Sequence, residues 1–475
     1  MGNTNKYIFD MDSLNEEESN DKKEARRKKH KKSRILSWVF LLVFMCILVG
    51  GLIFGATMLV KQLKPSKSPE KEVVVSSVSE EEKDDIDSII DDILGKEDEL
   101  IIAPPEPIEV EPTEEDLFDE AITEYISKMA LEDKVAGIFM VTPEELTGVA
   151  TVTKAGEGTK NALNEFAVGG IIYSDKNMTS PTEFKTVIDN TVSYARYPLF
   201  LAVNEECGKS VFSKAMKVEA TKTPKELGSD GDATLAYLEE EKIAKYLSQY
   251  GLNLNLGVAA DVTVADVESP IDARSFGQNA ETCGSMAAKQ IGALKEYGIG
   301  ASVKCFPGEG SVALDTSNGL SVSNRTVEEL NANEFVSFKA AIEGGADMIM
   351  VSHISVPSLT NDNTQCSLSK AIMTELLRKE MGLDDIIIVT DYLSKSAISS
   401  YYDSGEASIT AIKAGADMVL CPENFKEAYA AVLDAVNKGV IAKERIDDSL
   451  KRIYKVKFAG KSPEEINGVE TTPQE

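Results

Sequence analysis

Eight short apolar runs, each followed by a stretch with helical patterning, limit what this chain can become more than any other feature. They fall at Val135–Val141, Gly170–Tyr173, Leu199–Val203, Leu252–Leu256, Ile299–Val303, Met348–Val351, Ile386–Val389 and Met418–Leu420. Most are continuous rather than alternating, as in parallel strands covered on both faces. Strand–helix units repeated through one domain predict an α/β fold, a (β/α)8 barrel of the TIM type. A doubly wound open sheet is the alternative, but no Gly-x-Gly-x-x-Gly follows a strand to support dinucleotide binding. One internal echo fits the repeat: Ala341-Ile342-Glu343-Gly344-Gly345-Ala346-Asp347-Met348 returns as Ala411-Ile412-Lys413-Ala414-Gly415-Ala416-Asp417-Met418. Each copy ends a helix at glycine and opens an apolar strand. Tyr250-Gly251-Leu252 and Tyr297-Gly298-Ile299 mark the same kind of junction.

The barrel pattern occupies residues 117–458 and leaves a long N-terminal region to explain. Residues 35–60 form an unbroken apolar run, long enough to span a bilayer as one tilted helix. Lys22, Lys23, Arg26, Arg27, Lys28, Lys29, Lys31, Lys32 and Arg34 precede it, so the positive-inside rule puts residues 1–34 in the cytosol and the rest outside. The run is too long for a cleaved signal peptide, and no small-x-small site follows it. The expected location is therefore the plasma membrane, single-pass, with the barrel extracellular. Residues 61–116 are an acidic Pro/Glu/Ser linker, with one short amphipathic helix expected around Ile86, Ile89, Ile90, Ile93 and Leu94. Fully stretched it reaches on the order of 150 Å at ~3.3 Å per residue. Residues 459–475 read as a polar, frayed tail.

Charge excludes one class of partner. Residues 1–34 hold ten basic and seven acidic side chains, a net +3, so the remainder of a chain at -29 carries -32. An outer part that acidic repels nucleic acid at long range. The six cysteines, Cys46, Cys207, Cys283, Cys305, Cys366 and Cys421, show neither a disulfide framework nor zinc spacing. Cys207, Cys305 and Cys421 fall near strand ends and read as buried packing residues, so no metal or cofactor is expected.

In such a barrel the polar residues just after a strand face the active site. Here they are Asn204-Glu205-Glu206 after the third strand and Lys304, Glu309 and Asp315 after the fifth. Ser352-His353 follow the sixth, and Thr390-Asp391 the seventh. An acidic pocket with one or two cations suits an oxocarbenium-like transition state, with one carboxylate as nucleophile.

Lys304-Cys305-Phe306-Pro307-Gly308-Glu309-Gly310 with Asp315-Thr316-Ser317 resembles the Lys-His-Phe-Pro-Gly-His-Gly…Asp-Ser-His signature of glycoside hydrolase family 3, in its branch of bacterial β-N-acetylglucosaminidases. Leu131-Glu132-Asp133-Lys134-Val135, Val168-Gly169-Gly170-Ile171-Ile172 and Arg274-Ser275-Phe276-Gly277 agree with it. So do Gly345 to His353, Ile388-Val389-Thr390-Asp391-Tyr392-Leu393 and Arg445-Ile446-Asp447-Asp448-Ser449. The resemblance spans about Leu117 to Lys457 and leaves no room for the family's second domain. It implies that Asp391 is the nucleophile and that Asn204, Arg274, Lys304 and His353 contact substrate, a glycan or peptidoglycan fragment.

The departures fall on the same motifs. The family's proton-transferring histidine aligns with Ser317, its other two loop histidines with Cys305 and Glu309, and its sugar-binding aspartate with Asn204. A second arginine of that segment aligns with Phe212, with Lys214 a nearby stand-in. His353 is the one histidine beyond the apolar run, since His30 lies before it. Two expectations follow. One is a retaining glycosidase in which Asp391 attacks and Glu309 or Asp315 supplies the proton, slowed ~10²–10⁴-fold if neither replaces the histidine well. The other is a non-catalytic glycan-binding or scaffold protein at the cell wall.

Overall fold

The computed structural model describes residues 112–212 and 214–469. The expected cytosolic tail, membrane span and linker helix lie outside the described residues. Among the described residues no helix is long and apolar enough to cross a membrane.

Eight parallel strands form one sheet: β1 (Phe139–Val141), β2 (Gly170–Ile172), β3 (Phe200–Val203), β4 (Leu254–Ala259), β5 (Gly300–Phe306), β6 (Met348–Val351), β7 (Ile387–Thr390) and β8 (Val419–Leu420). Each neighbours the next in sequence, and β8 returns to pair with β1 through Phe139↔Val419 and Met140↔Leu420. A bridge between Val389 and Met418 joins β7 to β8, so the ring closes. Every residue of all eight strands is buried, as the continuous apolar runs require.

The Gly-Ala-Asp echo has a structural job at the N-terminal rim. Gly345 and Gly415 take φ of +99° and +125°, where a side chain would be strained, and turn the chain from helix to strand. The next aspartates then brace the preceding strand. Asp347 Oδ2 accepts from Ala301 N of β5 at 2.9 Å, and Asp417 Oδ2 accepts from Ile388 N of β7 at 2.9 Å.

Three expectations at the edges change. Val135 and Ala136 belong to a helix, Leu131–Ala136, because the turn after Ala130 is acidic and helix-favouring before the apolar residues begin. Strand β5 runs on through Phe306, so Lys304 lies within a strand rather than after it. The tail beyond Lys461 is not frayed throughout. Ser462 and Glu465 form a reciprocal cap on helix Pro463–Asn467, whose Ile466 is fully buried.

Candidate active site

The Pro-Gly loop after β5 takes its shape from glycine and from a neighbouring aspartate. Gly308 sits at φ +123°, and a Cβ on Gly310 would lie 2.0 Å from the Val262 carbonyl oxygen. Only glycine allows that approach. Asp261, just past β4, accepts from Glu309 N at 2.6 Å and from Cys305 N at 3.3 Å. Burial, then the charge of Glu309, raises the Asp261 pKa to about 7. Phe306 stacks on Phe335 at 5.5 Å and meets Phe338 edge-on at 5.2 Å, fixing the strand end below the loop. The pairing of β5 with β6 shifts register between Val303 and Phe306, as happens where a strand re-aims its side chains.

Beside this loop, three strands contribute to one ion cluster. Glu206, after β3, receives Arg274 through two contacts and Lys304 Nζ at 2.7 Å. Lys304 also donates to Asn204 Oδ1. Burial opposes ionisation of Glu206, but Lys304 and Arg274 outweigh it and hold its pKa at about 2. Asn204, Arg274 and Lys304 are therefore brought together, and Glu206 is the group that gathers them.

Asp391 follows β7 and is buried. Its Oδ1 accepts from Tyr392 N at 2.7 Å, and its Oδ2 receives Lys395 Nζ at 2.6 Å. Burial resists its charge, yet Lys395 holds its pKa below the usual range, so it is a carboxylate. Glu309 behaves in the opposite way. It is buried, its Oε1 accepts from Ser352 Oγ, and burial raises its pKa, with Asp391 pushing the same way against the pull of Lys395. The charge of Asp391 acts on Glu309, and the two carboxyl pKa values are pushed in opposite directions.

Asp315, Ser317 and His353 are placed differently. Asp315 Oδ1 accepts from Ser317 N at 2.7 Å, and that hydrogen bond helps to lower its pKa against partial burial, so it braces a loop as an anion. Ser317, aligned with the family's histidine, is exposed. His353 is fully buried, with Nε2 2.8 Å from the Tyr392 carbonyl and Nδ1 2.6 Å from Ser367 Oγ. The carbonyl only accepts, so Nε2 carries the hydrogen and Nδ1 accepts from the hydroxyl. Burial lowers its pKa to about 4, which leaves a neutral ring holding the turn that follows Asp391.

Cys207, Cys305 and Cys421 are buried, and burial first of all raises all three thiol pKa values. Cys207 lies 3.4 Å from Glu240 Oε2 and accepts from Gln290 Nε2 at 3.1 Å, in a polar cushion beneath Glu205 and Glu206.

Asp261 and Lys395 are the parts that residue patterns did not pick out. Asp261 follows β4 by two positions, and the strand-end rule applied there would have found it. Lys395 stands four residues after Asp391 at the start of a short helix, Ser396–Ser399, and no strand-end signal marks it.

The Glycosyl hydrolase family 3 N terminal domain model matches residues 130–456. Beta-hexosaminidase A of Pseudoalteromonas piscicida is 27% identical over 329 residues, covering 62% of this chain and 54% of that protein. The Beta-N-acetylglucosaminidase/beta-glucosidase of Cellulomonas fimi is 27% identical over 301 residues, covering 61% and 52%. The chain thus spans about half the length of these curated relatives. Among solved structures, the family 3 β-N-acetylglucosaminidase from Paenibacillus sp. str. FPU-7 superposes with a TM-score of 0.65 at 28% identity, covering 72% of this chain and 64% of that one. M tuberculosis LpqI shares the fold, with a TM-score of 0.62 at 24% identity, covering 71% and 96%. By the family model, which takes in most of the barrel and both carboxyl-bearing loops, this chain belongs to the glycosyl hydrolase family 3 N-terminal domain family.

Proposed function

We propose that the barrel is a retaining β-glycosidase acting on β-linked amino sugars of cell-wall glycans, with Asp391 as nucleophile and Glu309 as proton donor. The observation that carries this reading is the split between two carboxyl groups on neighbouring loops, Asp391 held ionised and Glu309 pushed toward its protonated form. A retaining site needs that division of labour. Asp315 is less suited to the acid role, because its pKa is lowered and its Oδ1 is used within its own loop. Arg274 and Lys304, which donate and never accept, are suited to sugar hydroxyls. The relatives from Pseudoalteromonas piscicida and Cellulomonas fimi both carry an amino-sugar hydrolase name, the second together with beta-glucosidase, which supports amino sugars as the first class to test.

The reading includes a location: anchored in the plasma membrane through residues 35–60, with the barrel outside and facing peptidoglycan. It is supported by the apolar run and its basic flank. Protease added to intact cells would then digest the barrel.

Turnover of a chromogenic β-N-acetylglucosaminide by the wild type, lost in Asp391→Asn, is the deciding measurement. Equal rates for the two proteins would remove the glycosidase reading. A second reading, a non-catalytic glycan-binding scaffold, is favoured by the partners already engaged with Asp391, Arg274 and Lys304. Muropeptide binding with unmeasurable turnover would select it.

A further inference from the structure

Asp391 has no idle oxygen. One accepts from Tyr392 N at 2.7 Å and the other faces Lys395 Nζ at 2.6 Å. The Asp391 side chain keeps only 4% of its accessible surface, whereas the Lys395 side chain keeps 24%, so the lysine is the more open member of the pair. Lys395 also reaches across to the loop after β5, donating to Thr316 Oγ1 at 3.3 Å. The same residue is tied a second time, because Ala397 N donates to the Thr316 carbonyl at 3.0 Å. The turn that aims Lys395 is itself fixed, since the Tyr392 carbonyl accepts from Lys395 N at 3.0 Å and from His353 Nε2.

We propose that Lys395 is an electrostatic latch on this active site, capping the attacking carboxylate and pinning the loop that carries Thr316, so that it sets the reactivity of Asp391. The inference rests on the retaining reading above. A retaining attack builds positive charge on the sugar ring beside the nucleophile. An ammonium in contact with that same carboxylate repels the developing charge, withdraws basicity from the attacking oxygen, and must move aside for the bond to form. The other titratable groups around the pair are Glu309 and Cys305 from β5 and its loop, Asp315 from the same loop, His353 after β6, and Tyr392 beside Asp391, whose phenol stays neutral because burial raises its pKa. His353 is neutral, and Glu309 and Cys305 have raised pKa values, so Lys395 is the main cation acting on Asp391.

The test uses the full chain and a dinitrophenyl β-N-acetylglucosaminide, whose leaving group needs no acid. Lys395→Met keeps the length of the side chain and removes its charge, while Lys395→Arg keeps the charge. The expected result is that Lys395→Met turns over faster by on the order of tenfold at neutral to alkaline pH. Its acid limb moves up by ~1–3 pH units as Asp391 loses its partner. Lys395→Arg, which keeps the charge, should keep the parent acid limb. A Lys395→Met enzyme no faster than the parent, with its acid limb unmoved, overturns the latch. If neither protein turns over, the glycosidase reading fails separately, and the contact is read without activity. A water-soluble carbodiimide should join Asp391 to Lys395 as an amide with loss of one water, seen by peptide mass mapping. Absence of that cross-link overturns the latch as well.

Discussion

Arg274 meets Glu206 through two parallel contacts, Nε to Oε2 at 2.5 Å and Nη2 to Oε1 at 2.9 Å, while Lys304 closes on the same carboxylate from within the barrel. The carboxylate is the only anion in contact with either cation among the described residues. Replacing it should be far more damaging than cutting an exposed ion pair. Glu206→Gln is expected to destabilise the protein by ~3–5 kcal/mol, because a buried lysine and a part-buried arginine lose their shared partner. Urea unfolding at neutral pH measures this, and a loss under ~1 kcal/mol would mean that water already screens the cluster.

Glu309→Gln should separate the two halves of the chemistry. An amide cannot deliver a proton, so kcat/KM for a natural disaccharide linkage should fall ~10²–10⁴-fold, while kcat/KM for a dinitrophenyl glycoside, which reports only the acid-independent first step, should be nearly unaffected. The sign of the pH effect follows from the raised pKa of Glu309. The acid works while protonated, so wild-type activity on the natural linkage is lost as pH rises through the folded-state value. That limb should disappear in the variant. Equal losses on both substrates would assign the acid to another group.

His353 makes the fold sensitive to acid. Its folded pKa, about 4, lies below the ordinary histidine value of 6.5. The unfolded chain therefore binds a proton first, and the neutral buried ring contributes stability that is complete above pH 6.5 and lost as pH falls toward 4. At ~1.4 kcal/mol per unit the full effect is ~3 kcal/mol. His353→Gln should lower stability at neutral pH and flatten the dependence between those values. Thermal melts of both proteins across the window would reveal it.

Glu240 has the opposite sign. It is buried, with Oε1 accepting from Asn255 Nδ2 at 3.2 Å, and burial first of all raises its pKa to about 8. The folded state keeps a proton that the unfolded chain releases above pH 4.5, so stability falls as pH rises from 4.5 to 8. Glu240→Gln preserves the neutral shape and supplies an N–H toward Cys207. It should be at least as stable as the wild type at pH 8, with a flatter slope. A marked loss of stability would mean that the carboxyl carries a charge in the folded protein.

The ring is legible in local patterns along the chain. Continuous apolar runs specify strands covered on both faces, glycines after helices specify where the chain turns, and the Pro-Gly loop and the Thr-Asp at the end of β7 specify which rim carries chemistry. These are local patterns, readable over a few neighbouring residues. Tertiary structure decided which polar groups meet. Lys304 reaches Glu206 across 98 positions of sequence, and Glu309 rests on Asp261 across 48. No local pattern encodes such pairings. Protonation was settled at the same level, because burial and nearby charge act through space. They make Asp391 an anion, push Glu309 toward its acid form and keep His353 neutral. They also turn Lys395, an ordinary residue at the start of a short helix, into the closest partner of the Asp391 carboxylate.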